Sequence, residues 1–319
     1  MLRYLTQRAI AFIPTLIGVS ILIFAAIRLV PGNAIEAQLG TEAGMLTTEQ
    51  RASLEAYYGL DKPAVVQYFT WVGGLLHGDL GLSMRFGQPV LDVVVSHFPV
   101  TLQLAIMALV IALLIGVPLG ILSATHRNTI IDLFGRLFAL FGLAMPNFLL
   151  ATLIIYVLSV YFHYLPNSGN YVDLWVDPGL NLQQMIFPAI TLGFAFSASV
   201  MRTTRSAMLE VLGQDYMRTA RAKGLRERIV INRHALRNAL IPVVTITGVE
   251  LGYLLGGTVI VEQIFSLPGI GRIVFNAISQ RDYALVQGVA LFVALNFVIV
   301  NLMVDVIYTA IDPRISYEG

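Results

Sequence analysis

The uneven distribution of positive charge constrains this 319-residue chain more than any other feature. Nine of its 20 Lys and Arg residues lie between Arg202 and Arg237, although the chain is 57% hydrophobic and only 12% charged. An average soluble domain is about 25% charged, so this composition indicates a membrane protein. A Lys or Arg at the centre of a spanning helix costs about 2.5–3.5 kcal/mol. The basic segment must therefore lie in water between two spans.

Apolar runs predict an all-α integral membrane protein with six transmembrane helices, each long enough to cross about 30 Å of hydrocarbon. The runs lie at about residues 9–27, 99–125, 134–160, 185–206, 239–262 and 285–310. A cleaved signal peptide is the alternative for the first run, but its apolar region would be shorter and followed by a small-residue cleavage site. The side that carries the basic segment and both termini is predicted to be cytoplasmic, because only five basic residues lie opposite.

Two parts of the chain are distinguished by this pattern. Residues 1–98 contain the first helix and a polar extracytoplasmic loop, in which Thr47-Thr48-Glu49-Gln50 is typical of a capping box at the start of a short helix. Residues 99–312 contain a core of five helices and the cytoplasmic segment 203–238.

Small residues recur at helical spacing in two spans. Gly116-x-x-x-Gly120 and Gly252-x-x-x-Gly256 each place two glycines on one helix face. Such faces allow close helix contact. The contact could be within the chain or with another subunit.

Local signals in the basic segment predict two short helices. Gly213 can end the preceding helix, Asp215 can cap the next, and Gly224 can close it in a left-handed turn. The compact helix between them presents one face with these residues: Tyr216, Thr219, Ala220 and Lys223. Small residues at 220, 222 and 224 would let another surface approach the backbone closely. The segment is either a plain basic loop or a docking site for a partner protein.

The sequence of this segment resembles the EAA motif of ABC importer permeases. The matching residues run from Asp215 to Leu225, with Ala-Arg-Ala-Lys-Gly at the centre, and continue as His-Ala-Leu-Arg-Asn-Ala from His234. Arg218 and Arg237 stand where the general motif has Glu and Pro, and both departures are usual in the oligopeptide/dipeptide/nickel branch. The chain is identified as similar to that family over nearly its full length. The resemblance implies the type I ABC importer permease fold.

In that family the loop forms a coupling helix that docks into a groove on the ATP-hydrolysing subunit. The resemblance therefore implies ATPase coupling for the residues that match the motif, which are Asp215, Tyr216, Arg218, Thr219, Ala220, Arg221, Ala222, Lys223 and Gly224. The implied partners are a second, similar permease, two ABC ATPases that use ATP and Mg, an extracytoplasmic solute-binding protein and membrane lipid. The implied cargo is a peptide or a related small solute, with dipeptides, oligopeptides, glutathione, nickel chelates and sugars all left open.

Two further sets of residues are functional candidates. Ionisable groups within spans are functional candidates by default, and Glu250 falls near the middle of the fifth span, where it is a candidate for the translocation path. Asp305 lies near a helix end and is interpreted as structural. The external stretch around Leu267, Pro268, Gly269 and Arg272 also resembles the family, which implies contact with the binding protein. A simple turn at Pro268-Gly269 is the alternative.

Several kinds of chemistry are excluded by the residues themselves. The two lysines, Lys62 and Lys223, do not follow a glycine, so a Walker A loop is missing and ATP must be hydrolysed by another polypeptide. There is no cysteine, no His-Glu-x-x-His pair and no Gly-x-Ser-x-Gly elbow, so we predict no enzyme activity and no metal site. We predict no nucleic-acid partner. A secondary transporter or channel and a membrane scaffold protein remain as alternatives to the permease.

Overall fold

The computed structural model of the protein describes residues 2–29, 46–57, 61–167, 170–256 and 258–311. Within these ranges it is built from helices, and its one β-pairing is an isolated bridge between Leu82 and Pro89. The helices are α1 (Leu2–Leu29), α2 (Thr48–Tyr57), α3 (Ala64–Leu76), α4 (Val90–Thr125), α5 (Ile130–Ala144), α6 (Asn147–Phe162), α7 (Pro178–Leu212), α8 (Asp215–Ala222), α9 (Glu227–Leu255), α10 (Val259–Ile264), α11 (Ile270–Ser279) and α12 (Tyr283–Ile311). The Asp305 side chain and residues 312–319 lie outside the described part of the chain.

Four helices of the described chain are long and apolar enough to cross a membrane, namely α4, α7, α9 and α12. Helices α5 and α6 pass the same test only as a pair, which is bent by 99°. In α1, the continuous run of described side chains, Ala11–Ala26, is too short for this test to decide on a span. The all-α membrane class is thus confirmed, and the count of six spans stays a prediction.

Two spans predicted as continuous are interrupted. In the third, Met145 has extended backbone (φ −79°, ψ 119°) and Pro146 caps α6. The pyrrolidine ring disfavours helical backbone at the residue before it, so the continuous helix over 134–160 was wrong. In the fifth, α9 ends at the Gly256 cap and a separate short helix, α10, follows.

One compact unit consists of Met1–Thr101 and Pro268–Val298. Its apolar core is formed by residues of α4, α11 and α12: Val90, Val93, Val94, Ile270, Ile273, Ala277, Leu285 and Val289. The buried carboxylate of Asp282 accepts hydrogen bonds from the Ser83 hydroxyl at 2.6 Å and from the Arg85 backbone N–H at 3.1 Å. Asp282 therefore ties the loop before α4 to the start of α12.

The predicted capping box lies in the same unit and is confirmed. The Gln50 backbone N–H donates to Thr47 Oγ1 at 3.2 Å, and the Thr47 backbone N–H donates to Gln50 Oε1 at 2.9 Å. These reciprocal bonds satisfy two donors that the first turn of a helix leaves without partners, so α2 begins at Thr48.

The second compact unit consists of Leu102–Leu267 and Ile299–Gly319, and α7 is the helix on which α5, α6 and α9 pack. A Cβ atom added at Gly116 would lie 2.7 Å from the Ser197 carbonyl oxygen, and one at Gly120 would lie 2.8 Å from the Met201 carbonyl oxygen. The first pair of spaced glycines therefore brings α4 close to α7 within this chain. That observation decides between the two roles that the sequence left open for it.

Candidate coupling site and membrane cavity

The candidate coupling helix is α8, and its ends follow from local backbone chemistry. Gly213 caps α7, and Gly224 has a φ of +75°, so both glycine predictions are confirmed. The predicted cap at Asp215 was wrong, because Gln214 takes the extended cap conformation (φ −74°, ψ 151°) and Asp215 is already the first helical residue. An acidic residue in the first turn still interacts favourably with the helix dipole.

Two side chains fix α8 to the rest of its unit. Met217 is 0% exposed and Ala220 is also buried. They belong to an apolar cluster formed by the ends of α4, α7 and α9, whose other buried members are Ala124, Ala207, Met208, Val230, Ala235 and Ala239. Since residues three apart lie on one helix face, Met217 and Ala220 form the inward face of α8.

This burial corrects part of the sequence interpretation. Ala220 was grouped with Tyr216 and Lys223 on a face that a partner could approach, but its side chain lies inside the chain's own cluster. Its small size therefore lets α8 approach α7 and α9. The sequence interpretation also missed Met217, although an apolar residue three positions before Ala220 was the available signal.

The outward surface of α8 is polar and basic. Its exposed residues are Asp215, Tyr216, Arg218, Thr219, Arg221, Ala222, Lys223 and Gly224. Arg218 lies 3.4 Å from Asp215, but both side chains are more than three-quarters exposed, at 77% and 94%. Such exposed pairs contribute about 0–1 kcal/mol, so Arg218 can exchange this partner for another at little cost.

Side-chain contacts hold α8 against α9 at both ends. The Tyr216 hydroxyl accepts a hydrogen bond from Asn238 Nδ2 at 2.9 Å. At the other end, Arg221 Nε and Nη2 donate to the two oxygens of Glu227 at 3.1 and 2.8 Å, across the Gly224 turn. The hydrogen bond to Glu227 raises the pKa of the Arg221 guanidinium, which therefore stays charged at physiological pH. The helix is thus positioned from within while its basic face stays in solvent.

The predicted path residue, Glu250, is half-buried at a cavity of about 280 Å³. The cavity lies at the break between α5 and α6, and its lining residues are Gly142, Leu143, Met145, Pro146, Asn147, Ala195, Phe196, Ser199 and Glu250. The Ser199 hydroxyl is a hydrogen-bond donor in the same lining as the Glu250 carboxylate. In the described ranges, no group of three or more His, Asp or Glu side chains could hold a metal ion.

Comparison with known families decides what kind of membrane protein carries this helix. Residues 116–317 match the family described as binding-protein-dependent transport system inner membrane component, and residues 1–105 match the N-terminal part of that component. The chain belongs to this family. It is a multi-pass inner membrane protein and the permease subunit of an ABC importer.

Two relatives align with the whole permease. It is 41% identical to the dipeptide transport system permease protein DppB of Escherichia coli (strain K12), and each chain is covered over 100% of its length. It is also 41% identical, with the same coverage, to the glutathione transport system permease protein GsiC of Escherichia coli O6:H1. These identities place the permease in the dipeptide and oligopeptide branch of importers.

Two solved structures share the fold of the permease. The MetNI methionine ABC transporter in inward-facing conformations matches with a TM-score of 0.51 and 18% identity, over 70% of this chain and 97% of that chain. An amino acid ABC transporter with histidines matches with a TM-score of 0.51 and 15% identity, over 69% and 94%. The predicted type I ABC importer permease fold is thereby confirmed.

Only two of the four residues predicted to contact the binding protein are exposed at the surface of the permease. Leu267 is fully buried, with its backbone N–H bonded to the Glu262 carbonyl oxygen at 2.8 Å, and Gly269 is buried as well. Neither can meet a partner protein at the surface, so the expectation for these two residues was wrong. Pro268 and Arg272 are partly exposed and stay candidates.

Proposed function

We propose that this permease imports peptides and that α8 transmits the work of separate ATPase subunits to the membrane helices. The observation that carries the proposal is the two-sided character of α8. Met217 anchors the helix inside the chain, while Arg218, Arg221 and Lys223 point to solvent. A helix that only filled a cytoplasmic loop would need no such anchor. The dipeptide and glutathione relatives support a peptide cargo.

In this proposal the exposed residues of α8 dock into a groove on the ATPase. The basic side chains provide charge complementarity, and the small methyl group of Ala222 and the absence of a side chain at Gly224 allow close backbone approach. Tyr216 adds an aromatic contact that is already oriented by Asn238. Because opposite charges steer encounters, the docking rate should fall as ionic strength rises.

Movement follows from the way in which α8 is attached. ATP binding closes the pair of ATPases and displaces the docked helix. The buried Met217 passes this displacement to the cluster at the ends of α4, α7 and α9. Since packed interiors are close to incompressible, the attached spans tilt and alternate the access of the cavity.

The proposed assembly contains this permease, a second similar permease, two ABC ATPases and an extracytoplasmic binding protein that contacts Pro268 and Arg272. Both termini are proposed to be cytoplasmic, because that orientation places the basic α8 region on the side where positive charge is retained. Glu250 is proposed to face the translocation path. Catalysis of ATP hydrolysis is assigned to the partner subunits.

The test reverses charge on the outward face of α8. We expect the double variant Arg218→Glu and Lys223→Glu to lose most of the co-purifying ATPase and of the ATP-dependent peptide uptake. The matched control is Arg226→Glu with Arg228→Glu, which changes the same net charge at exposed positions beyond the Gly224 turn. Equal retention of ATPase in both double variants would refute coupling through α8.

The same preparation separates the alternatives. Uptake that follows an ion gradient and survives ATP depletion would indicate a secondary transporter or channel. Retention of partners without any solute movement would indicate a scaffold.

A further inference from the structure

We propose that the cavity at the α5–α6 break binds the ammonium group of the cargo, with the Glu250 carboxylate as its partner. This inference rests on the proposed function, since it names the chemical class that the path receives. The proposed ligand is a cationic group of the cargo.

The break in the third span creates the space. At Met145 and Pro146 the chain leaves one helix and enters the next at an angle of 99°. Ala195 on α7 contributes only a small side chain to the wall of this space. The resulting volume of about 280 Å³ is near the lower end of the range of small-molecule pockets, about 300–1,000 Å³, which suits a short peptide.

The described residues that line this cavity carry only negative charge. Among the described residues that line the cavity, Glu250 alone carries a charge, and the rest are apolar or neutral. A carboxylate that is partly removed from water is costly unless a cation or hydrogen-bond donors complete it. The Ser199 hydroxyl in the same lining is one available donor, and a carboxylate has about four lone-pair sites. The remaining sites suit a group with several N–H donors.

An ammonium group meets these requirements. It carries a full positive charge and three N–H donors, so it can fill acceptor sites that Ser199 leaves open. Asn147, at the start of α6, adds a neutral polar group to the same wall. The cavity should therefore accept a peptide with a free amino terminus and disfavour an anionic solute.

The absence of cysteine from the chain gives a direct measurement of this charge. In membrane vesicles that contain the assembled transporter, Ala195→Cys places a single thiol of this chain in the cavity wall. The labelling rates of a cationic trimethylammonium methanethiosulfonate and an anionic sulfonate methanethiosulfonate are compared on this chain. We expect the labelling rate with the cationic reagent to exceed that with the anionic one about tenfold. The negative charge of Glu250 would lie within several Å of the thiol and would act through a low effective dielectric.

Variants assign that preference to one residue. Glu250→Gln should abolish it and Glu250→Asp should keep it, whereas the control Glu210→Gln removes an exposed carboxylate at the far end of α7 and should leave it unchanged. A preference that persists in Glu250→Gln would overturn the inference. So would a cavity in which neither Ala195→Cys nor Asn147→Cys reacts with the cationic reagent.

Uptake provides the second arm, with alanyl-alanine as the cargo in proteoliposomes of the complete transporter. Glu250→Gln should reduce ATP-dependent uptake about tenfold, equivalent to the loss of one good charged contact, while ATP hydrolysis stimulated by the loaded binding protein stays within about twofold. If Glu250→Gln took up alanyl-alanine as fast as the wild type, the inference about Glu250 would be refuted and the proposed function would stand. No ATP-driven uptake of any peptide by the wild type would sink the proposed function, and the labelling ratio would still report on the cavity.

Discussion

Arg205 on α7 and Asp132 in the first turn of α5 form a buried ion pair across 73 residues of sequence, with Arg205 Nε 2.7 Å from Asp132 Oδ1 and Nη2 3.0 Å from Oδ2. Asp132 is fully buried and accepts two further hydrogen bonds, from Ser123 Oγ at 2.5 Å and from the Asn128 backbone N–H at 3.1 Å. A bidentate pair whose remaining lone pairs are also satisfied is the geometry that a buried carboxylate requires.

The ion pair is the end of a longer contact between the same two helices. A Cβ atom at Gly135 would lie 2.5 Å from the Met201 methyl carbon, and one at Gly142 would lie 2.5 Å from Ala198 Cβ. Helix α5 therefore lies against α7 from its first turn to the turn before the break. We expect α5 to follow α7 when α8 moves, so that a displacement at α8 reaches the wall of the Glu250 cavity.

Removal of the cation tests the ion pair. Arg205→Gln leaves the buried Asp132 without its charged partner, and breaking such a pair costs about 3–5 kcal/mol. We therefore expect a clear drop in the unfolding temperature of the purified transporter in detergent, together with weaker uptake.

The matched control is Arg136→Gln. Arg136 Nε also lies 3.7 Å from Asp132, but its side chain is 53% exposed. An exposed pair contributes about 0–1 kcal/mol, so this variant should unfold close to the wild type. Similar losses in the two variants would mean that the ion pair does not stabilise the α5–α7 contact.

Local signals in the sequence were sufficient for the end of α7 and for the turn that follows α8. Gly213 and Gly224 act through backbone conformations that depend on the residue itself and its immediate neighbours, so their roles could be inferred without tertiary information. The capping box at Thr47 was predictable for the same reason.

Features that depend on distant contacts were not predictable. The partner of Asp132 lies on another helix, and the burial of Leu267 and Ala220 depends on surfaces that only the folded chain brings together. The break at Pro146 is a different case, because its signal was present. A long apolar run took precedence over the known preference of the residue before a proline.

The spaced glycines of α4 give the next prediction. Gly116→Ala and Gly120→Ala would each place a Cβ atom within 2.6–2.8 Å of atoms on α7, two of which are backbone carbonyl oxygens that cannot turn away. Overpacking of this kind costs about 1–3 kcal/mol, so we expect a lower unfolding temperature for each variant. The control is Gly73→Ala in α3, where a Cβ atom meets nothing within 4 Å. That variant should be neutral or stabilised by up to about 1 kcal/mol, since alanine favours a helix interior.

Truncation of the buried Met217 side chain should uncouple ATP hydrolysis from peptide uptake. Met217→Ala removes a fully buried side chain, a change that costs about 2–5 kcal/mol in a core that cannot collapse. We expect α8 to loosen, so that trypsin cleaves faster after Arg221 and Lys223 and ATP is hydrolysed with less uptake per turnover. The control Arg218→Ala changes a neighbouring side chain that is 77% exposed and should leave the cleavage rate after Lys223 unchanged. An anchor variant with wild-type cleavage and coupling would show that α8 is held by other contacts.

The Gly224 turn allows backbone strain to be tested apart from steric clash. A Cβ atom at this position meets nothing within 4 Å, but the φ of +75° disfavours every side chain except that of asparagine or aspartate. Gly224→Ala should therefore cost about 1–2 kcal/mol and weaken ATPase binding about tenfold in a titration of the ATPase against the reconstituted permease. Gly224→Asn should retain most of the affinity. Gly87→Ala is the matched control, because Gly87 has a φ of +61° and equally open surroundings outside the basic segment. If Gly87→Ala weakened ATPase binding as much as Gly224→Ala, the effect would reflect general destabilisation, and the conformation of the turn beside α8 would have no particular part in coupling.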